Sequence, residues 1–139
     1  DEANSYRLET LYPPMSLPDG ENFTQAELPK VYFDETQGMY YLIVSSCNRH
    51  FEGQPDSEVD KTIRLYKSDS MRGPWQIAVG DNSAIKGADG LFGMTVLEAD
   101  FANDRLLCIS PRTGSDDPAA AFTIGERFYL NLNTATVIR

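Results

Sequence analysis

Short runs rich in β-branched and aromatic residues, each closed by turn-forming residues, constrain this chain more than any other feature. Aromatics make up 11% of the sequence, as seven Tyr, seven Phe and one Trp, and they cluster in these runs. Strands are expected at about 28–33, 39–46, 62–68 and 74–79, and a second set at about 92–99, 105–110, 123–132 and 135–138. Turn residues at 34–38, 70–73, 87–90 and Asn103-Asp104 separate them. Ile63 and Leu65 alternate with Thr62, Arg64 and Tyr66, the period of a half-buried strand. The run 39–44 is apolar throughout, as expected where both faces are covered. No stretch keeps an apolar period of 3.6 residues. The chain reads as all-β.

At 139 residues the length suits one domain, and 41% hydrophobic with 24% charged residues excludes wholesale disorder, a coiled coil or a collagen-like repeat. The expected strands fall into two groups of four. Each group spans about 50 residues, the size of a four-stranded meander such as a β-propeller blade. Propellers close at four to eight blades, so two blades alone would leave strand edges and apolar flanks open. The residues allow either a small sandwich or part of a larger propeller completed by another chain.

Twelve basic against 21 acidic residues give a net charge of −9. That surface repels phosphate backbones and anionic lipid, which argues against a nucleic-acid or membrane partner. No apolar run reaches the roughly 18 residues of a membrane span. The start, Asp1-Glu2-Ala3-Asn4, lacks the basic and apolar stretches of a signal peptide, so an exported form would begin after a cut. Asn22-Phe23-Thr24 is a glycosylation sequon and hints at secretion. Cys47 and Cys108 are too few for a disulfide scaffold and form either one bridge or two buried thiols. His50 is the single histidine, which excludes a multi-histidine metal site, and no EF-hand or glycine-rich phosphate loop is present. No metal or other cofactor is expected. The polar loops 47–61 and 111–121 are where binding groups commonly sit; the first carries Arg49, His50, Glu52, Asp56, Glu58 and Asp60.

One segment carries chemistry. In Thr24-Gln25-Ala26-Glu27-Leu28-Pro29-Lys30-Val31-Tyr32-Phe33 a carboxylate opens an apolar strand, and Pro29 fixes the backbone just beyond Leu28. A partly desolvated carboxyl has its charged form disfavoured and stays protonated closer to neutral pH. That is the property of the acid that protonates a departing sugar oxygen. The plainer alternative is a strand-edge Glu27 paired with Lys30.

The sequence Tyr6-Arg7-Leu8-Glu9-Thr10-Leu11-Tyr12-Pro13-Pro14, followed after a polar loop by Gln25-Ala26-Glu27-Leu28-Pro29, resembles glycoside hydrolase family 68. These are the levansucrases, inulosucrases and bacterial-type β-fructofuranosidases. The next strand, Met39-Tyr40-Tyr41-Leu42-Ile43-Val44, matches a family strand. Ser68-Asp69-Ser70-Met71-Arg72-Gly73-Pro74-Trp75 is similar to the family's Ser-x-x-Gly-Pro-Tyr turn. The order and spacing hold across nearly the whole chain, although the Glu-x-Pro and Gly-Pro-aromatic pair is shared with related furanosidase families.

The resemblance implies a five-bladed β-propeller, of which this chain would be the last two blades, about 1–80 and 81–139. It implies retaining transfer of fructose from sucrose, with Glu27 as acid/base and Gln25 as a polar neighbour touching sugar. It also implies departures. Leu28 stands where the family has Arg. Cys47 lies near the place of a substrate-binding Arg or His, with Arg49 and His50 close behind. Phe92 lies where the family has a site Tyr. The family's nucleophile and stabilising Asp belong to earlier blades, and no Arg-Asp-Pro occurs here.

A retaining mechanism needs a nucleophile as well as an acid/base, roughly 5 Å apart. One Glu cannot serve as both. The expected protein is therefore the smaller subunit of a secreted or periplasmic two-chain enzyme, whose larger partner carries the N-terminal blades and whose ligands are sucrose and fructosyl acceptors. Two alternatives stand beside it: a non-catalytic carbohydrate-binding module, and another furanosidase relative with the same blade pattern.

Overall fold

The computed structural model describes residues 25–111, 123–125 and 127–139. Those residues form two four-stranded antiparallel sheets, each a meander whose strands pair in sequence order. The first sheet holds β1 (Gln25–Asp34), β2 (Met39–Cys47), β3 (Lys61–Ser68) and β4 (Gln76–Ile77). The second holds β5 (Thr95–Asp100), β6 (Arg105–Ile109), β7 (Phe128–Asn131) and β8 (Thr136–Ile138). Two single 3₁₀ turns, Asp56–Glu58 and Phe101–Asn103, are the only helical segments among the described residues. The all-β reading and the two groups of four hold.

The sheets bury one common core. Tyr41, Ile43, Ile63 and Leu65 from the first meet Leu106, Cys108, Phe128 and Leu130 from the second. Alternation along the strands sends the opposite residues outward, and Leu42, Val44 and Tyr66 pack there under Trp75 and Ile77. Val31 and Phe33, opposite Leu42 and Tyr40, stay exposed on that outer face. On the second sheet Tyr129 and Ile138 are register partners and also exposed.

The two meanders are joined at both margins. Residues 83–86 run between β3 and β8: Leu65 N donates to Ser83 O and Ile85 N to Ile63 O, while Lys86 N donates to Ala135 O and Val137 N to Lys86 O, all within 2.8–2.9 Å. At the other margin a side chain of β1 reaches the start of β5, with Lys30 Nζ donating to Met94 O and, at 3.1 Å, to Thr95 Oγ1. That occupies Lys30 and removes it as an ion partner for Glu27.

Several expected boundaries shift. The strand expected at 74–79 shrinks to β4, because Pro74 lacks an N–H for the ladder and Gly73 has φ +79°. The strand expected from 92 starts at Thr95, since Gly93 takes φ +71°. The run expected at 123–132 keeps β7 alone, and 135–138 loses Ala135 to a left-handed turn (φ +48°). The motif at 6–14, the sequon at Asn22 and most of the loop 111–121 lie outside the described residues.

Candidate functional site

The site expected around Glu27 is built where β1, β2 and β3 share one end. Gln25, Cys47 and Lys61 form a row across the three strands, each directly opposite the next. Residues opposite one another in an antiparallel pair face the same way, so all three side chains leave one face. Glu27, two residues beyond Gln25 and opposite Ser45, leaves the same face. That face is turned towards the second sheet, since Ser45 in turn opposes the core residue Ile63.

Polar contacts tie the row to the approach to the second sheet. Cys47 Sγ donates to Gln25 Oε1 at 3.0 Å. Ser45 Oγ accepts from Gly93 N at 2.9 Å, which holds the Phe92-Gly93 backbone against β2 at the residue opposite Glu27. Ser110 Oγ clamps Phe92 from the other side, donating to its carbonyl at 3.0 Å and accepting from its N–H at 3.3 Å. The Lys61 ammonium lies 6.0 Å from the centre of the Phe92 ring. The structure therefore brings Gln25, Glu27, Cys47 and Phe92 to one end of the molecule.

Between Glu27 and Lys30 the β1–β2 register breaks into a bulge. Leu28 occupies the left-handed region at φ +53°, a conformation its Cβ disfavours by about 1–2 kcal/mol. The Leu28 side chain reaches Gly93: its Cδ1 lies 3.5 Å from where a Cβ would stand there, beside Pro111. The bulge bends the strand immediately after Glu27, as bulges do where a side chain is re-aimed.

Glu27 is exposed, so the partial desolvation expected from the sequence is absent in this chain. Arg49 does not join the row. It donates to Gln54 O at 2.6 Å and to Asp56 Oδ1 at 2.5 Å within the loop 48–60. His50 is exposed, and its backbone N–H donates to Gln54 Oε1 at 2.9 Å. The loop closes on its own acceptors, with Gln54 taking a bond from each residue and Asp56 one from Arg49.

Lys61 is the functional candidate that sequence reading passed over. Its Nζ donates to Asp56 Oδ2 at 2.7 Å and its side chain is only 8% exposed. The hydrogen bond from Lys61, and after it that from Arg49, holds the Asp56 carboxyl below its ordinary value against the opposing effect of burial. Lys61 and Cys47 also border an open cleft of about 520 Å³ with Asn48, Val59 and Asp89. Asn48 Oδ1 is buried there with no hydrogen-bond partner. No signal in the linear sequence singles out Lys61; only its register opposite Cys47 does.

Neither cysteine is in a disulfide, and both are buried. Burial pushes the Cys108 thiol up to about 12, so it is an inert core group. Among the described residues no three His, Cys, Asp or Glu side chains group as metal ligands, and no helix is long and apolar enough to cross a membrane. No protein-family model, curated protein or solved structure matches this chain.

Proposed function

We propose that this chain is the acid/base-bearing part of a retaining β-fructofuranosidase or fructosyltransferase. The observation that carries the reading is the meeting of Gln25, Glu27, Cys47 and Phe92 at one end of the fold, from segments up to 67 residues apart (92 minus 25). These are the positions that the resemblance to glycoside hydrolase family 68 assigns to the sugar site.

On this reading the two sheets are the last two blades of a five-bladed propeller. The outward Val31 and Phe33 of one sheet and the outward Tyr129 and Ile138 of the other are flanks that neighbouring blades would cover. A larger partner supplies those blades together with the nucleophile and the stabilising Asp. The nucleophile attacks the fructosyl carbon of sucrose while Glu27 donates its proton to the glucosyl oxygen as the bond breaks. Glu27, now a carboxylate, takes a proton from the incoming water or sugar hydroxyl, which releases the fructosyl group from the nucleophile. The exposure of Glu27 in this chain fits a residue whose desolvation comes from the partner and the bound sugar.

A carbohydrate-binding module without catalysis is the second reading, favoured by the exposure of Glu27. Purification of the native protein decides between them. The enzyme reading expects a second, larger chain that co-elutes through an interface above about 2,000 Å², and release of glucose from sucrose. A cooperatively melting monomer that binds sugars without cleaving them would establish the module instead.

A further inference from the structure

We infer that Lys61 is the cation that touches the sugar in this site, donating N–H bonds to its hydroxyl or ring oxygens. This rests on the carbohydrate reading above and adds to it a contact residue that neither the sequence nor the resemblance supplied.

The argument begins with hydrogen-bond accounting. A lysine ammonium has three N–H donors. Asp56 Oδ2 takes one at 2.7 Å, and the Phe92 ring lies 6.0 Å away. The other two N–H bonds have no acceptor among the described residues, although the side chain is 92% buried (100 minus 8). A desolvated cation left with unspent donors calls for oxygen acceptors from a ligand. Lys61 and Cys47 are the two residues of the row that border the open cleft, so a ligand reaches the Lys61 ammonium from the cleft side, with Gln25, Glu27 and Phe92 outside the cleft lining.

Position supports the same assignment. Cys47 ends β2 with a short, uncharged side chain, and its thiol is turned to Gln25. Lys61 is the residue directly across from it on β3, on the same face and with three more side-chain carbons. A long cation on the neighbouring strand can therefore work in the space above the small residue. Arg49 is fastened to Gln54 and Asp56, and Arg64, which also borders the cleft, donates to Ser46 Oγ and Ser83 Oγ.

The charges favour a neutral ligand. Asp56 neutralises one of its two cationic partners, and in the lining of the cleft the carboxylates of Asp60 and Asp89 balance the cations of Lys61 and Arg64. An anion entering there would meet those carboxylates. A polyhydroxylated neutral sugar supplies the acceptors for Lys61 without that repulsion.

The test measures sugar binding apart from turnover. In the native assembly carrying Glu27→Gln, the Kd for sucrose is measured by calorimetry with and without Lys61→Met. Loss of charge-assisted hydrogen bonds predicts binding weaker by about tenfold or more. Adding Cys47→Arg to Lys61→Met returns a cation from the adjacent strand and restores most of the affinity, which a purely structural lysine would not allow. Should those variants fail to assemble, the unaltered protein serves. Saturating sucrose should slow acylation of Lys61 by an amine-reactive reagent several-fold while exposed Lys86 reacts at an unchanged rate. Equal affinity with and without the Lys61 ammonium, equal acylation rates, or no neutral-sugar binding at all would overturn the assignment. Sugar binding that depends on Lys61 in a protein unable to cleave sucrose would keep it and remove the enzyme reading instead.

Discussion

The thiol of Cys47 donates to the amide oxygen of Gln25 across 3.0 Å, and the two residues are also direct register partners on adjacent strands. The contact fixes the side chain at the open end of β1, two residues before Glu27. It gives the candidate site a defined wall on the side of β2.

The first prediction concerns Glu27. Glu27→Gln keeps size and most hydrogen bonding but removes the proton. In the native assembly, sucrose turnover should fall by about 10²–10⁴-fold with little change in sucrose binding. A fructosyl donor whose leaving group needs no protonation should lose far less in its first step, which burst kinetics would reveal. Equal losses for both donors would make Glu27 a structural residue.

A second prediction concerns the bridge between strand and approach segment. Gly93 has φ +71°, and a Cβ there would stand 3.5 Å from Leu28 Cδ1. Gly93→Ala should therefore destabilise by about 1 kcal/mol or more through the backbone. Ser45→Ala should cost about 1 kcal/mol through loss of the acceptor for Gly93 N. Urea unfolding of both variants and the double variant measures this. Because the two changes act on one junction, their effects should not add.

The cysteines give a third. Alkylation without reductant should modify both under denaturing conditions, as intact mass would show, and Cys108 should resist in the folded protein. The Cys108 thiol is raised from 9.0 to about 12 by burial. Its neutral form is thus held in the folded state, a contribution fully present below pH 9.0 and lost as pH rises towards about 12. Cys108→Ala should remove that part of the alkaline decline in melting temperature.

Acid works in the opposite sense on Asp56. Its carboxyl is held below the ordinary value of 3.8 by Lys61 and Arg49. The stability it lends is present above that value and fades as pH falls through the lowered folded one. With 39% of the side chain exposed, solvent screening keeps the effect small. Asp56→Asn should lower the melting temperature at neutral pH, and the gap to the parent should close below pH 3.8.

Strand identity was legible because Ile63 and Leu65 alternate with Thr62, Arg64 and Tyr66, but the half-buried strand that this period predicts is covered on both faces, since Arg64 and Tyr66 are buried as well. The meeting of Gln25 with Cys47 was half legible. Two consecutive expected strands imply a hairpin, and hairpin pairing brings their far ends together. The rest depended on what linear sequence does not encode. Leu28 adopts a backbone region that residues before proline ordinarily avoid, so the bulge after Glu27 had no local signal. Arg49 looked available because its acceptors, Gln54 and Asp56, become neighbours only once the loop closes, whereas His50 is held through its backbone N–H and stays exposed. Lys61 gains meaning only from cross-strand register.

Residues 83–86 give β3 and β8 a common seam at the margin away from Lys30. The two sheets resemble the leaves of a book bound along that spine, and the site lies towards the fore-edge, where β1 meets the segment leading into β5. How far the leaves stand apart near Glu27 is thus set twice, at the fore-edge by Lys30 and Ser45 holding Met94, Thr95 and Gly93, and from a distance by the backbone hydrogen bonds of the spine. Loosening the binding at Ser83 or Lys86 would alter the opening at the site without changing a single residue in it.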